Sequence, residues 1–369
     1  MSQVSETVLE INLKALGENY QYLRSKLQPA TQFMAVIKAF GYGSDGVVLA
    51  KELETYGVDY FAVAYVNEGV ALRDAGINTP ILVLHPQATN FKTLIDRCLE
   101  PSLYNAKVFR EFVKIASEKG QNNYPVHIKF NTGLNRLGFW ENDVDFILSE
   151  MSKTKTIQIK SIFSHLAASE DLSEATFNQQ QISSFKKLSS SLCESLDQRP
   201  MLHMCNTSGI LNYPEAHFDM VRSGIGLYGF GNSEKEDLNF RPIARLKTII
   251  SQIHMIEKGE TVGYNRAFKS DTFLKTATLP IGHADGISRA YGNGIGWVTI
   301  HGKKAPIIGN VCMDMIMVNA TGIDCQEGDE VLIFGEETTA EELTNAIHSI
   351  SYELITAISQ RIKRVVCRK

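Results

Sequence analysis

Apolar residues along this chain fall into two textures, and the change between them organises everything else. From Phe33 onward, short apolar runs alternate with stretches whose apolar positions recur at helical spacing. The runs lie at 33–38, 60–66 (YFAVAYV), 81–85 (ILVLH), 100–104, 125–130 (PVHIKF), 157–166 (IQIKSIFSHL), 201–205 (MLHMC) and 218–223 (FDMVRS). Their shortness and their place between helical patterns predict buried strands. Helices are predicted between them, at 46–57, 67–75, 105–119 and 173–197, the last with Phe177, Ile182, Phe185, Leu188 and Leu192 on one face. Another helix, 16–27, precedes the first run and carries Leu16, Tyr20, Leu23 and Leu27 on one stripe. Eight strands alternating with helices predict a (β/α)8 TIM barrel. An open doubly wound sheet is the competing architecture, because strand count alone does not demand closure.

After Gly231 the texture changes. Residues 232–239 are polar and charged, as in a linker, and the runs beyond are β-rich with few helices between them. ARLKTIISQIHMI, KTATLPIG, GWVTIHG, APIIGNVCMDMIMVNA and DEVLIFG predict a mainly β C-terminal domain. Thr339-x-x-Glu342 opens a late helix with a capping-box pattern, and a helical stretch at 351–358 precedes a basic final strand. The predicted division is a barrel over 10–238 and a β-rich domain over 239–369, joined by residues 1–9.

Composition narrows the class. The 369 residues exceed one ordinary core and suit two domains. A hydrophobic share of 44% with 21% charged residues describes a globular protein, and a net charge of −4 gives no support for nucleic-acid binding. No run is long enough to span a bilayer, and MSQVSETVLE has no signal-peptide pattern. The six cysteines are scattered without a C-x-x-C pair, so no metal site is expected, and a reducing, cytoplasmic setting is.

Candidate chemistry gathers at the strand ends, where barrels carry their sites. In FMAVIKAFGYG, residues 33–43, an apolar run ends on Lys38 and then glycines. Lys38 is either a lysine that snorkels to solvent or a nucleophilic amine with a lowered pKa. The fifth run supplies Lys129, Asn131 and Arg136, the sixth His165, the seventh His203, Asn206 and Thr207, and the eighth Arg222 followed by Ser223-Gly224-Ile225-Gly226. Glycines after the last strand of a barrel let backbone amides approach a phosphate. Closure would set that turn beside Lys38, and an amine next to a phosphate cradle fits pyridoxal phosphate.

These segments resemble the alanine racemases. AVIKAFGYGSDG, IKFNTGLNRLGF, FSHLAASED, HMCNTSG, VRSGIGLYG, TVGYNRAF, IGHADGISR, IGNVCMDMIMV and SYELITAISQRIKR match in the family's order. The resemblance implies a pyridoxal 5'-phosphate enzyme that interconverts L- and D-alanine with two bases, supplying D-alanine for peptidoglycan. It implies Lys38 as Schiff-base lysine and D-face base. It implies Tyr264 as the opposite base, delivered from a partner subunit of a homodimer. Arg222 corresponds to the arginine facing the pyridine nitrogen. Tyr42, Asn206, Thr207, Gly224, Ile225 and Tyr352 fall on phosphate-pocket positions. Arg136 and the Met313 backbone, with Asp314 beside it, fall on substrate-carboxylate positions. His165 and His203 match the relay behind the tyrosine and Arg222. Lys129 matches a lysine that is a carbamate in many members.

The departures are Asn131 for an aspartate, Phe40-Gly41 for Asn-Ala, and His283 for a tyrosine on the substrate entry side. His283 keeps a broader-specificity or serine racemase in view. A basic-amino-acid decarboxylase shares the architecture, but its glycine triplet and catalytic cysteine segment are missing. A non-catalytic pyridoxal phosphate-binding barrel would lack the β-rich domain that carries Tyr264.

Overall fold

The structure is a computed structural model that describes residues 4–368. The chain divides into two compact units, one made of Gly17–Gly41 and Gly46–Phe240, the other of Met1–Leu16, Tyr42–Asp45 and Arg241–Lys369.

The first unit holds an eight-stranded parallel sheet curled into a barrel. Its strands are Gln32–Val36, Tyr60–Val63, Ile81–Val83, Glu100–Leu103, Tyr124–Lys129, Ile157–Phe163, Met201–His203 and Met220–Ser223. They pair in chain order, and the last returns to the first with Ala35 opposite Ser223. The gap between the last two strands is bridged by Asp219 N–H to the Leu202 carbonyl (3.0 Å) and Arg222 N–H to the Cys205 carbonyl (3.1 Å). These bonds decide for the barrel over the open sheet. The apolar runs are near-continuous because helices cover one face of each strand and the interior the other.

Helices follow the strands, among them Gly46–Thr55, Val66–Asp74, Ala106–Glu118 and Ala175–Cys193. Asn105 caps one of these by accepting from Val108 N–H at 2.9 Å. The 173–197 segment starts as a 3-10 turn, Leu172–Glu174, whose Asp171 accepts the Ser173 amide at 2.9 Å, so the α-helix begins at Ala175.

The second unit is built on a nine-stranded sheet. Its strand Val8–Asn12 pairs antiparallel with Ala244–Ile249 and parallel with Lys363–Cys367. Lys247 is buried in this sheet between Glu10 (3.2 Å) and Glu330 (3.0 Å), an arrangement that meets the cost of burying an ammonium with two carboxylates. A separate hairpin, Thr261–Val262 with Phe268–Lys269, packs on Leu274, Ile308 and Met317. Thr339 caps Ala340–Asn345 by accepting the Glu342 amide at 3.0 Å, as its spacing predicts.

Among the described residues, no helix is long and apolar enough to cross a membrane. Nor does any group of three His, Cys, Asp or Glu lie close enough to hold a metal ion among them.

Candidate active site

Lys38 opens a turn of unusual hand. Ala39, Phe40 and Gly41 run with φ of 52°, 54° and 60°, one left-handed helical turn directly after the first barrel strand. Such a turn costs non-glycine residues roughly 1–2 kcal/mol each, so something must hold it. Gly41 N–H donates to the Ile37 carbonyl at 3.1 Å. The Glu68 carboxylate accepts the amides of Ala39 (2.5 Å), Ala64 (2.7 Å) and Tyr65 (3.0 Å). Glycine at 41 has a steric reason too, since a Cβ there would stand 2.8 Å from Gly46 N. Burial lowers the Lys38 amine below its ordinary pKa, Arg136 lowers it further, and Glu68 opposes them.

Next to that turn on the barrel rim lies the end of the last strand. The amides of Gly224 and Ile225 donate to no acceptor among the described residues. Gly226 N–H donates to Thr207 Oγ1 at 3.2 Å, and that hydroxyl also bonds Ser223 Oγ at 3.0 Å. Thr207 opens the helix Thr207–Asn212, capped by Asn206, whose side chain accepts the Gly209 amide at 2.9 Å. Two free amides and a hydroxyl therefore face one end of the barrel, beside a lysine with a lowered pKa.

Arg222 lies behind them, buried and fully engaged on one side. Its Nη1 donates to His203 Nδ1 (2.6 Å), and Nη2 to the carbonyls of Ser164 (2.7 Å) and Met204 (3.2 Å) and to His165 Nδ1 (3.2 Å). Its Nε–H has no acceptor among the described residues. Burial lowers its pKa to about 10, which leaves it cationic at neutral pH. Burial and the Arg222 charge hold His165 and His203 well below the ordinary histidine range, so both rings are neutral.

Lys129 is buried at the end of the fifth strand, with its ammonium 5.9 Å from the Phe163 ring centre and no carboxylate partner among the described residues. Burial first, then Arg136, Arg222 and Lys38, lower its pKa to about 8. Arg136 is exposed at the rim. The Asn131 side-chain carbonyl accepts the amides of Gly133 (3.2 Å) and Asn135 (2.9 Å), as a carboxylate would, and its NH2 donates to Asn135 Oδ1 (2.9 Å), which a carboxylate could not do. The loop leading to Arg136 is thus tied by an amide in place of a carboxylate.

The remaining candidates belong to the other unit. Tyr264 stands at the tip of the small hairpin, 74% exposed, where Gly263 has φ 79° and Asn310 holds the Tyr264 carbonyl at 3.2 Å. It lines a cavity of about 510 Å³ with Gly263, Cys312, Met313, Asp314 and Met315. The Met313 carbonyl accepts the Ala284 amide at 3.0 Å. Arg361 grips Asp285 (2.6 and 3.0 Å) and Asp314 (2.7 Å), which fixes the loop carrying Met313. Tyr42 is buried and its ring centre lies 6.0 Å from that of half-buried Tyr352. His283 is exposed and its amide donates to the Cys312 carbonyl at 2.9 Å.

The family model for the alanine racemase N-terminal domain matches residues 11–231, and that for the C-terminal domain matches 243–366. The chain belongs to the alanine racemase family. It is thereby an isomerase, an alanine racemase by class. It is 34% identical to the alanine racemase of Methanococcus maripaludis over 96% of this chain and 97% of that one. The alanine racemase structure from Clostridium difficile 630 covers 100% of this chain and 97% of its own, with TM-score 0.93 and 34% identity. The Bartonella henselae alanine racemase, solved with covalently bound pyridoxal phosphate, covers 99% of this chain and 100% of its own, with TM-score 0.89 and 28% identity.

In this racemase a set of buried polar residues escaped the reading of the sequence. Ser161 Oγ lies 2.8 Å from His203 Nε2 and 2.6 Å from His127 Nδ1, and His127 Nε2 lies 2.7 Å from Glu100 Oε2. The signal was available: in the strand Tyr124–Lys129, Val126 and Ile128 alternate with His127 and Lys129. Polar residues every second position of a barrel strand point to its interior.

Proposed function

We propose that this chain interconverts L- and D-alanine with pyridoxal 5'-phosphate as cofactor, using Lys38 and Tyr264 as bases on opposite faces. The observation that carries this is Lys38 and the free Gly224 and Ile225 amides lying on neighbouring strands at one barrel edge. The donor set fits the cofactor. Lys38 would hold it covalently through its amine. The two amides and Thr207 would take the phosphate, with Asn206 beside them. Of the two uncommitted N–H groups of Arg222, one on Nε and one on Nη1, the Nε–H would meet the pyridine nitrogen. When bound, pyridoxal phosphate spreads the charge left by the departing α-proton over its ring.

The protein's own part is positional. Arg136 and the Met313 backbone, braced by Asp314, hold the substrate carboxylate. Lys38 removes or returns a proton on the D-face, and Tyr264 on the other. The exposure of Tyr264, Met313 and Met315 on one surface supports a homodimer in which each chain lends Tyr264 to its partner. His165, with Nδ1 occupied by Arg222, has its Nε2–H left to meet that phenol.

A buried amine among three cations supports a carbamate at Lys129: its neutral form adds CO2 and releases a proton, placing an anion where the charges call for one. Native mass spectrometry in bicarbonate should then show one added CO2 that Lys129→Met lacks. The product role that follows is D-alanine supply for peptidoglycan, in the cytoplasm. His283, exposed where the family has a tyrosine, favours broader substrates, serine first, as the second reading.

The test is racemisation of L-alanine against L-serine, followed by circular dichroism on cofactor-loaded protein. Faster turnover of L-alanine is expected. Serine turned over faster would replace the reading, and a protein without a visible absorption band after loading would remove it.

A further inference from the structure

Glu100 lies at the start of the fourth barrel strand, and Arg222 near the end of the eighth. Glu100, His127, Ser161, His203 and Arg222 form one unbroken row of hydrogen bonds of 2.7, 2.6, 2.8 and 2.6 Å through the barrel. The direction of every proton in that row can be deduced. A guanidinium only donates, so His203 Nδ1 accepts and bears no proton. An imidazole keeps at least one, so it sits on Nε2 and points at Ser161 Oγ. Ser161 then turns its own hydrogen to its other neighbour, His127 Nδ1, which accepts. The His127 proton therefore lies on Nε2 and is given to Glu100, a carboxylate that only accepts. With His127 neutral, no group in the row has a second choice.

We infer that Glu100, His127 and Ser161 are positioning residues that fix the donor face of Arg222 toward the ring nitrogen of the cofactor. This rests on the proposed pyridoxal phosphate reading. Arg222 does not release a proton, so the row holds protons in place and conducts none. Its effect is to keep a lone pair of His203 aimed at Nη1. Together with the three acceptors on Nη2, that lone pair leaves Nε–H and the second Nη1–H as the free donors, on the edge turned away from the row. Phe163, stacked on His203 at 5.0 Å and lying 5.3 Å from the Arg222 guanidinium, keeps the two planes from swinging. Tyr60, whose phenol is pushed up by burial and by the Glu100 charge, lies beside the terminal acceptor.

Two measurements test this on the holoenzyme. In the unaltered protein, nitrogen NMR with labelled histidine should find His127 and His203 neutral and protonated on Nε2 alone. Either ring protonated on Nδ1 would overturn the inference, whether or not the protein binds pyridoxal phosphate. In Ser161→Ala, which removes one oxygen from a buried site, kcat should fall about tenfold at nearly constant KM, the size expected when the hydrogen bond between His203 and the charged Arg222 is loosened. Both ring signals should move. Glu100→Ala should behave likewise, and Glu100→Gln, which keeps a carbonyl acceptor, should recover most of the rate. Wild-type kcat with unmoved ring signals in Ser161→Ala, or equal losses in the two Glu100 variants, would sink it. Failure of cofactor loading would instead count against the functional reading, and the ring-nitrogen pattern would still decide the row.

Discussion

The assignment of Tyr264 as one of two bases makes a prediction that net turnover cannot reveal. Because L- and D-alanine are equal in energy, any Tyr264 variant must slow kcat/KM equally in both directions. Exchange of the α-hydrogen with solvent is free of that constraint. Tyr264→Phe should keep exchanging the α-hydrogen of D-alanine in deuterated water through Lys38, while exchange from L-alanine falls by about 10² or more. Equal loss from the two enantiomers would remove the assignment of opposite faces. Lys129 makes a prediction about pH. Its folded pKa of about 8 lies below the ordinary 10.5, so the unfolded chain binds more protons between those values. Stability should therefore rise from pH 8 toward 10.5, by up to ~3 kcal/mol in buffer freed of CO2. Below pH 8 the full penalty is present. Lys129→Met should be more stable than the parent at pH 7 and lose that rise; an unchanged slope in denaturant titrations would place the cause elsewhere.

At the scale of elements, the turn after the last barrel strand is the most exacting piece of backbone. A Cβ at Gly226 would stand 2.6 Å from Thr207 Cγ2 and 3.2 Å from Ser223 Oγ. Gly226→Ala should push Thr207 aside and weaken pyridoxal phosphate binding about tenfold in equilibrium dialysis; undiminished affinity would exclude Thr207 from the phosphate pocket. The barrel strands were legible in the sequence because burial on both faces leaves apolar runs with few polar interruptions, and all eight lie where those runs fall. The glycine turn was legible from Gly224 and Gly226 after the final run. The left-handed turn from Lys38 was not, because Ala39 and Phe40 carry no preference for positive φ and the conformation is imposed by Glu68, 29 residues away. Nor was the row from Glu100 to Arg222. Its members come from five strands, and only the closed barrel sets them in line. Asn131 read as a lost carboxylate, and its replacement, Asn135, lay four residues further along.

For the whole molecule, the division of Lys38 and Tyr264 between the two compact units gives the dimer proposal a clear consequence. Lys38→Ala and Tyr264→Ala should each be inactive alone. In a refolded mixture, half the dimers are hybrids, and each hybrid has one site with both bases intact. Activity should return to about a quarter of the parent value. A mixture as inactive as its components would mean that both bases of a site come from one chain.

The nine-stranded sheet has a bearing on how the protein is made. Val8–Asn12 leaves the ribosome well before either of its neighbours, Ala244–Ile249 and Lys363–Cys367. At roughly 5–20 residues per second, that segment waits some tens of seconds with both backbone edges unsatisfied. A nascent chain stalled before its last strand would carry an open β-edge, and chaperone binding during translation should concentrate on that strand.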